Sequence, residues 1–337
     1  MRDSWRENGF PAAQRDRARG VLVGQFVGDA LGTTVEFSEP PAILREYPNG
    51  HSEIVGGGPF ALLPGQVTDD SELALALART LVNRGWDLDA RAGAYSDWYK
   101  SGPFDVGNAT RAAFGGRGVD ASAGTMFARA LERNGAADMQ ANGALMRVSP
   151  LAIYGATLGV EELIERARED ARFSHPSPVC QGANAAFVVA ITAGMNGGSP
   201  TEALEAAKRA TGEPAVLAAL GDIARQPVCH GRGQGWVLIA LRNAFHMLIH
   251  EKTFEGALVR TVMAGGDADT NGCITGALLG AFHGLAGFPR RWTDAVLSCR
   301  TPRGPVYQTG DAIALADLLL DRGIANNARA QAGAARN

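Results

Sequence analysis

Eight stretches of this chain carry apolar residues three and four positions apart: Ala18–Leu31, Glu72–Val82, Val160–Ala171, Val179–Met195, Thr201–Ala210, Gly235–Ile249, Phe254–Met263 and Asn271–Leu285. That spacing gathers apolar side chains on one face of an α-helix. No segment sustains the two-residue alternation with β-branched enrichment that marks a strand. The expectation is an all-α fold. Small residues fill many helical positions, which lets helices approach closely, and no repeat of fixed period is evident. No Pro/Ser-rich or charged linker divides residues 16–322, so one compact domain is expected there. Residues 1–15 read as an N-terminal extension. Residues 323–337, rich in Ala, Asn and Arg, read as a disordered tail. Pro150 falls inside an otherwise helical stretch, residues 142–154, and is expected to kink or end it.

Charge and composition exclude some partners. With 32 Lys+Arg against 35 Asp+Glu the formal net charge is −3. No Lys/Arg-rich run is present, so nothing in the chain suits a nucleic-acid backbone. The most apolar stretch, Ala185 to Met195, is too short to span a bilayer. The first ten residues carry charges, and Asp29 interrupts the apolar run that follows, so no secretory signal is expected. The four cysteines (Cys180, Cys229, Cys273, Cys299) include no C-x-x-C pair. They read as small buried residues in a reducing compartment. Taken together these point to a soluble cytoplasmic protein without a membrane partner.

Two acidic turns stand out. Gly65 to Glu72 sets Thr68, Asp69 and Asp70 in a row where a loop enters an amphipathic helix. One explanation is capping: Thr68 or Asp69 suits an N-cap, and Glu72 completes the capping-box spacing from Asp69. A second turn, Gly265 to Asn271, repeats the composition with Asp267, Asp269 and Thr270, again before a small-residue helix. If the two turns converge, four carboxylates share one pocket and cannot all stay ionised unaided. Divalent cations would remove the conflict. Ligands made of oxygen alone, with no His or Cys, select hard ions: Mg²⁺ or Mn²⁺, or Ca²⁺, over zinc.

These two motifs, in this order and separation, resemble those of the ADP-ribosylglycohydrolases. Further matching segments are Gly24 to Gly32 continuing to Glu36, Gly56–Gly58, Phe104 to Arg111, Asn142 to Arg147, and Ser174-His175. The chain is most similar to the dinitrogenase reductase-activating glycohydrolase branch, over roughly residues 16 to 300. The resemblance implies a compact orthogonal helical domain. It implies hydrolysis of the bond joining ADP-ribose C1″ to an acceptor, with two Mg²⁺ or Mn²⁺ ions. An ADP-ribosylated protein would be the substrate, most simply one modified on arginine, and ADP-ribose the product. Mapped by motif, the metal ligands are Thr68, Asp69, Asp70, Asp267, Asp269 and Thr270. Glu36 matches an acid beside the metals, and Asp105 a carboxylate placed in catalysis. Gly107, Asn142, Gly143, Met146, His175 and Trp236 fall on segments that line the ADP-ribose pocket. Three departures lie near the acceptor side. Trp236 stands where relatives carry tyrosine, Ile239 replaces an acid, and Asn108 sits where the branch often has a second Asp.

The remaining candidates carry less. His246 and His250 are four apart on one helix but lack the Glu of a zinc signature. Gly56–Gly58 has neither a following Lys-Ser/Thr nor a preceding strand, so it is no phosphate or dinucleotide loop. Asp29 reads either as a buried helix acid or as a group that orients a ligand. Trp98 and Tyr99 read as core and rim. In the expected chemistry Glu36 accepts a proton from water and Asp105 steers the departing guanidine. The competing readings are a hydrolase of serine-linked, polymeric or small-molecule ADP-ribose, and a module that binds ADP-ribose or an ADP-ribosylating toxin without turnover.

Overall fold

A computed structural model describes residues 10–115, 121–135 and 138–334, with side chains to residue 325. Among the described residues sixteen α-helices follow one another. They are α1 Ala12–Gly32, α2 Pro40–Glu46, α3 Asp69–Arg84, α4 Leu88–Lys100, α5 Asn108–Phe114, α6 Ala123–Ala130, α7 Ser149–Tyr154 and α8 Val160–Arg172. Then come α9 Pro178–Met195, α10 Pro200–Arg209, α11 Pro214–Gly221, α12 Val237–His250, α13 Phe254–Met263, α14 Ala268–His283, α15 Arg290–Ser298 and α16 Ala312–Ala334. Among the described residues the only extended pairings are two isolated bridges, Gly57 with Leu62 and Ala141 with Trp236. The fold is all-α, as the periodicity implies.

The centre is an antiparallel pair, α1 against α14, joined through glycine. Gly20, Gly24, Gly28 and Gly32 recur once per turn on α1 and face Gly280, Gly276, Gly272 and Ala268 on α14. A Cβ on Gly28 would stand 2.9 Å from the Cys273 backbone nitrogen and closer still to the Gly272 carbonyl. The two backbones therefore touch directly, as small-xxx-small pairs do between membrane helices. This four-residue recurrence is a fixed period that the sequence reading overlooked. Around the pair pack α7, α13, α15 and α16 on the α1 side, and α9, α12 and α13 on the α14 side.

Two local expectations are corrected. Pro150 neither kinks nor ends a helix; it lies in the first turn of α7, where its missing N–H costs nothing. The apolar stretch at Ala185–Met195 belongs to the 18-residue α9, which by length and composition is apolar enough to cross a membrane. Gln181, Gly182 and Asn184 obscure its length in the sequence. Fully 78% of it is buried inside the fold, where it packs on α8, α10 and α14 as a core helix. The last helix runs past Gly323, whose Cα lies tight against the Tyr154 backbone, to Ala334.

Candidate active site

The α1–α14 contact fixes the starts of two helices beside each other. Thr68 is the N-cap residue of α3, yet its side chain makes no capping bond. The cap comes from Asp29 on α1, whose carboxylate accepts from Thr68 N (3.1 Å), Ser71 N (3.2 Å) and both hydroxyls, Thr68 Oγ1 (3.1 Å) and Ser71 Oγ. Asp29 is wholly buried and orients the acidic turn, the second of its two sequence readings. Capping by Asp69 is not realised. Glu72 does not complete a box either: it takes a bidentate pair from Arg303 (2.9 and 2.9 Å) and a bond from Trp98 Nε1 (2.8 Å). Neither Asp69 nor Asp70 is therefore needed to cap the helix.

The second turn is shaped by backbone conformation. Gly265 and Gly266 sit at φ +66° and +70°, and a Cβ on either would strike a carbonyl, of Ser38 or of Cys229. Glycine is obligatory at such left-handed, tightly packed positions. The turn is stitched to the Glu36 loop by Phe37 N–H to Gly266 O (2.7 Å) and Gly266 N–H to Ser38 O (3.0 Å). Phe37 itself stands at φ +60°, a strained value for a bulky residue. The strain coincides with the place where Glu36 is brought over Asp267 and Asp269. One ligand oxygen from each of those three acids lies within 4.8 Å of the others.

The two acidic turns do converge. Glu36, Asp69, Asp70, Asp105, Asp267, Asp269 and Thr270 line one cavity of about 330 Å³, within the range of small-molecule sites. Asp70 Oδ2 accepts from Thr270 Oγ1 (3.3 Å) and lies 3.2 Å from Thr68 Oγ1, competing with Asp29 for its one hydrogen, so one carboxylate links both turns. Thr68 is buried behind this wall. Gly107, Asn142, Gly143, Met146 and His175 line the same cavity. Asn142 Nδ2 donates to Asp267 Oδ2 (2.7 Å). Trp236 does not line it: the indole is 42% exposed and donates to Gln140 Oε1 (2.9 Å), while Gly235 beside it takes the lining position. Trp236 is the extended N-cap residue of α12, and the loop entering that helix turns Gly235 to the wall in its place. Phe37, Thr110 and Gln234 also line the cavity and were not anticipated; only adjacency to Glu36 and Trp236 could have signalled two of them.

Burial and mutual repulsion oppose full ionisation of this cluster. Burial, then repulsion from Asp105 and Asp267, pushes the Glu36 carboxyl up to about 9. Burial and neighbouring carboxylates hold Asp69, Asp70 and Asp269 well above the usual carboxylate range. Burial also raises Asp105, Asp267 and Asp29, the last to about 7. Glu36 Oε2 and Asp70 Oδ1 are buried with no hydrogen-bond partner, an expensive state for a carboxylate oxygen. Orphaned oxygens in an all-oxygen donor set fit a hard divalent ion.

The other candidates resolve as structure. His246 Nδ1 and His250 Nε2 both meet the Ile223 carbonyl, at 2.8 and 3.2 Å. Trp98 is fully buried, and all four cysteines are free and buried.

Comparison with known proteins decides the family. Residues 11–328, nearly the whole chain, match the ADP-ribosylglycohydrolases. The chain belongs to the ADP-ribosylglycohydrolase family. It is 33% identical over 307 residues to ADP-ribosyl-[dinitrogen reductase] glycohydrolase from Rhodospirillum rubrum, covering 90% of this chain and 97% of that protein. It is 30% identical over 300 residues to ADP-ribosylarginine hydrolase Tri1 from Pseudomonas putida (strain GB-1), covering 85% and 76%. A solved ADP-ribosylglycohydrolase-related protein complex superposes with a TM-score of 0.73 at 29% identity, over 93% of this chain and 100% of that one. This ADP-ribosylglycohydrolase is thus one of a family of hydrolases acting on ADP-ribosyl linkages.

Proposed function

We propose that this ADP-ribosylglycohydrolase releases ADP-ribose from arginine side chains of ADP-ribosylated proteins, using two divalent cations, Mg²⁺ or Mn²⁺. The observation that carries the reading is the meeting of both acidic turns in one cavity with Asp105, an acid outside the two turns, beside them. Thr68, Asp69, Asp70, Asp267, Asp269 and Thr270 would hold the ions. When bound, such ions supply charge neutralisation, orientation of ribose hydroxyls and polarisation of water.

The chain's own groups do the rest. Glu36 accepts the proton of the attacking water at C1″. Its distance to Asp267 and Asp269 also supports a role as ligand. The two roles are compatible, because its Oε2 has no partner and remains open. Asp105 is half-buried, and the following helix, α5, has Gly107 as N-cap with no side-chain bond, so its carboxylate is not spent on capping. A carboxylate there suits a planar guanidinium, which forms paired charge-assisted bonds. A serine ether oxygen would gain little from it. Two relatives act on arginine-type or dinitrogen reductase linkages by name, which supports the same acceptor.

The test is a competition in one tube between arginine-linked and serine-linked ADP-ribosyl peptides with Mg²⁺, following free ADP-ribose. Faster release from arginine is expected. Faster release from serine overturns the acceptor while leaving a hydrolase; saturable ADP-ribose binding with no release from either overturns the enzyme.

A further inference from the structure

Behind the cavity runs a buried chain of hydrogen bonds that none of the proposed chemistry uses. Tyr95 OH donates to Asp170 Oδ1 (2.7 Å), and Arg147 donates from Nε to Asp170 Oδ2 (3.1 Å) and from Nη2 to the Asp170 carbonyl (2.8 Å). Arg147 Nη1 donates to the Gly143 carbonyl (3.0 Å) and to Ser174 Oγ (2.7 Å). Ser174 Oγ lies 2.8 Å from His175 Nδ1. Arg147, Asp170 and Ser174 are wholly buried, and His175 is 1% exposed. Of the side chains in it, only that of His175 lines the cavity.

The donor inventory favours one arrangement of protons along this chain. A guanidinium has donors only, so Ser174 Oγ must accept from Arg147. Its oxygen keeps a second lone pair, so an Nδ1–H of His175 could also point at it, but the buried hydroxyl hydrogen would then have no acceptor; donation to His175 Nδ1 pairs both groups. A neutral ring with a bare Nδ1 carries its hydrogen on Nε2. The Nε2 edge is turned toward Gly143 and Thr110: a Cβ on Gly143 would lie 2.9 Å from His175 Cε1, 3.3 Å from Nε2 and 3.1 Å from Thr110 Oγ1. Gly143 keeps that edge uncovered.

We propose that Asp170, Arg147 and Ser174 are positioning residues that lock His175 as its Nε2–H tautomer, so that the cavity offers a neutral donor to an acceptor oxygen of the ligand. Among the described residues no lysine or arginine lines this cavity. At the His175 wall a hydroxyl or diphosphate oxygen is therefore met by a fixed dipole rather than by a side-chain cation. A ring protonated on both nitrogens would add a second buried cation near Arg147, and burial followed by that arginine's charge pushes His175 down to about 3. The ligand assignment rests on the cavity being the ADP-ribose site; the tautomer does not.

Two measurements separate those statements. Long-range ¹H–¹⁵N spectra of the free full-length protein at neutral pH should show His175 as pure Nε2–H. In Ser174→Ala, which removes the only donor to Nδ1, the signal should shift toward a tautomer mixture. A wild-type His175 found as Nδ1–H or as the charged ring overturns the proposal, and that spectrum decides it even if the variant fails to fold. In the second measurement, ADP-ribose should bind Ser174→Ala about two- to tenfold more weakly than wild type, the worth of one neutral hydrogen bond. ADP, which lacks the terminal ribose, distinguishes the oxygen: equal weakening points to the diphosphate, and weakening of ADP-ribose alone to the ribose. Unchanged affinity for both in a folded variant that has lost the pure tautomer overturns the donor role. No ADP-ribose binding to wild type would overturn the function of the cavity and leave the tautomer standing.

Discussion

Gly28 on α1 and Gly272 on α14 meet backbone to backbone, each lacking room for the other's Cβ. The next residue along α1 is Asp29, so this contact sets where the carboxylate that caps α3 can stand. Gly28→Ala should therefore force the central pair apart. Overpacking of a rigid core costs typically about 1–3 kcal/mol, and backbone on both sides leaves little room to relax. Gly93→Ala in α4 is the control, because nothing lies within 4 Å of its Cβ position. It should stabilise by about 0.5–1 kcal/mol through helix propensity alone. Denaturant melts of the two variants should move in opposite directions.

Asp29→Asn should weaken metal binding without touching a ligand. The amide keeps one acceptor but turns an NH₂ toward Thr68 N and Ser71 N, which are donors. Groups that orient ligands in this way typically cost about 10–100-fold in metal affinity or activity when replaced. Calorimetric titration with Mn²⁺ measures it; an unchanged affinity would contradict the assigned role.

Without metal the protein should be less stable at high pH. Asp29 and Glu36 titrate near 7 and 9 in the fold, above their ordinary values near 4. The folded state therefore holds protons that the unfolded chain has lost. The resulting stability is fully present below the ordinary carboxylate range and is lost as pH rises through the folded values. Melting temperature in chelator should fall from pH 5 to pH 9. Added Mg²⁺ should raise it most at the alkaline end, because cations bind the ionised form. A rise with pH in chelator would contradict this.

Asp105→Asn should lower turnover of arginine-linked substrate by about 10²–10⁴, the usual worth of a positioned catalytic carboxylate. Metal affinity should be nearly unchanged, and so should stability, since α5 is not capped by this side chain. Near-normal turnover would return Asp105 to the surface.

Much of this was legible in the chain. Periodicity alone gave an all-α fold because its helices bury one continuous face. Both acidic turns were legible because an Asp-Asp or Asp-x-Asp start to a small-residue helix is unusual, and family resemblance supplied their meeting. The exceptions share a physical cause: each depends on what lies across the fold. Capping of Thr68 and Ser71 by Asp29 spans about forty residues, and no local pattern announces it. Arg303 on Glu72 spans 231. Arg147 and Asp170 are 23 residues apart and pair only in the fold. Trp236 was misplaced by one position, because a loop's exit into α12 fixes which neighbour faces inward. The Gly20–Gly32 recurrence was present all along, but glycine every fourth residue signals a helix contact only once its partner is known.

The central claim is that the cavity holds divalent cations required for hydrolysis. It is tested most directly by stripping the protein with chelator, restoring Mg²⁺ or Mn²⁺ in steps, and measuring bound metal and ADP-ribose release from an arginine-linked peptide on the same samples. Release should be absent in the stripped protein and rise to a plateau as two equivalents bind, and Asp70→Asn should neither fill both sites nor turn over at modest Mg²⁺. Full release by the stripped protein, or near-normal release by Asp70→Asn at modest Mg²⁺, would contradict it.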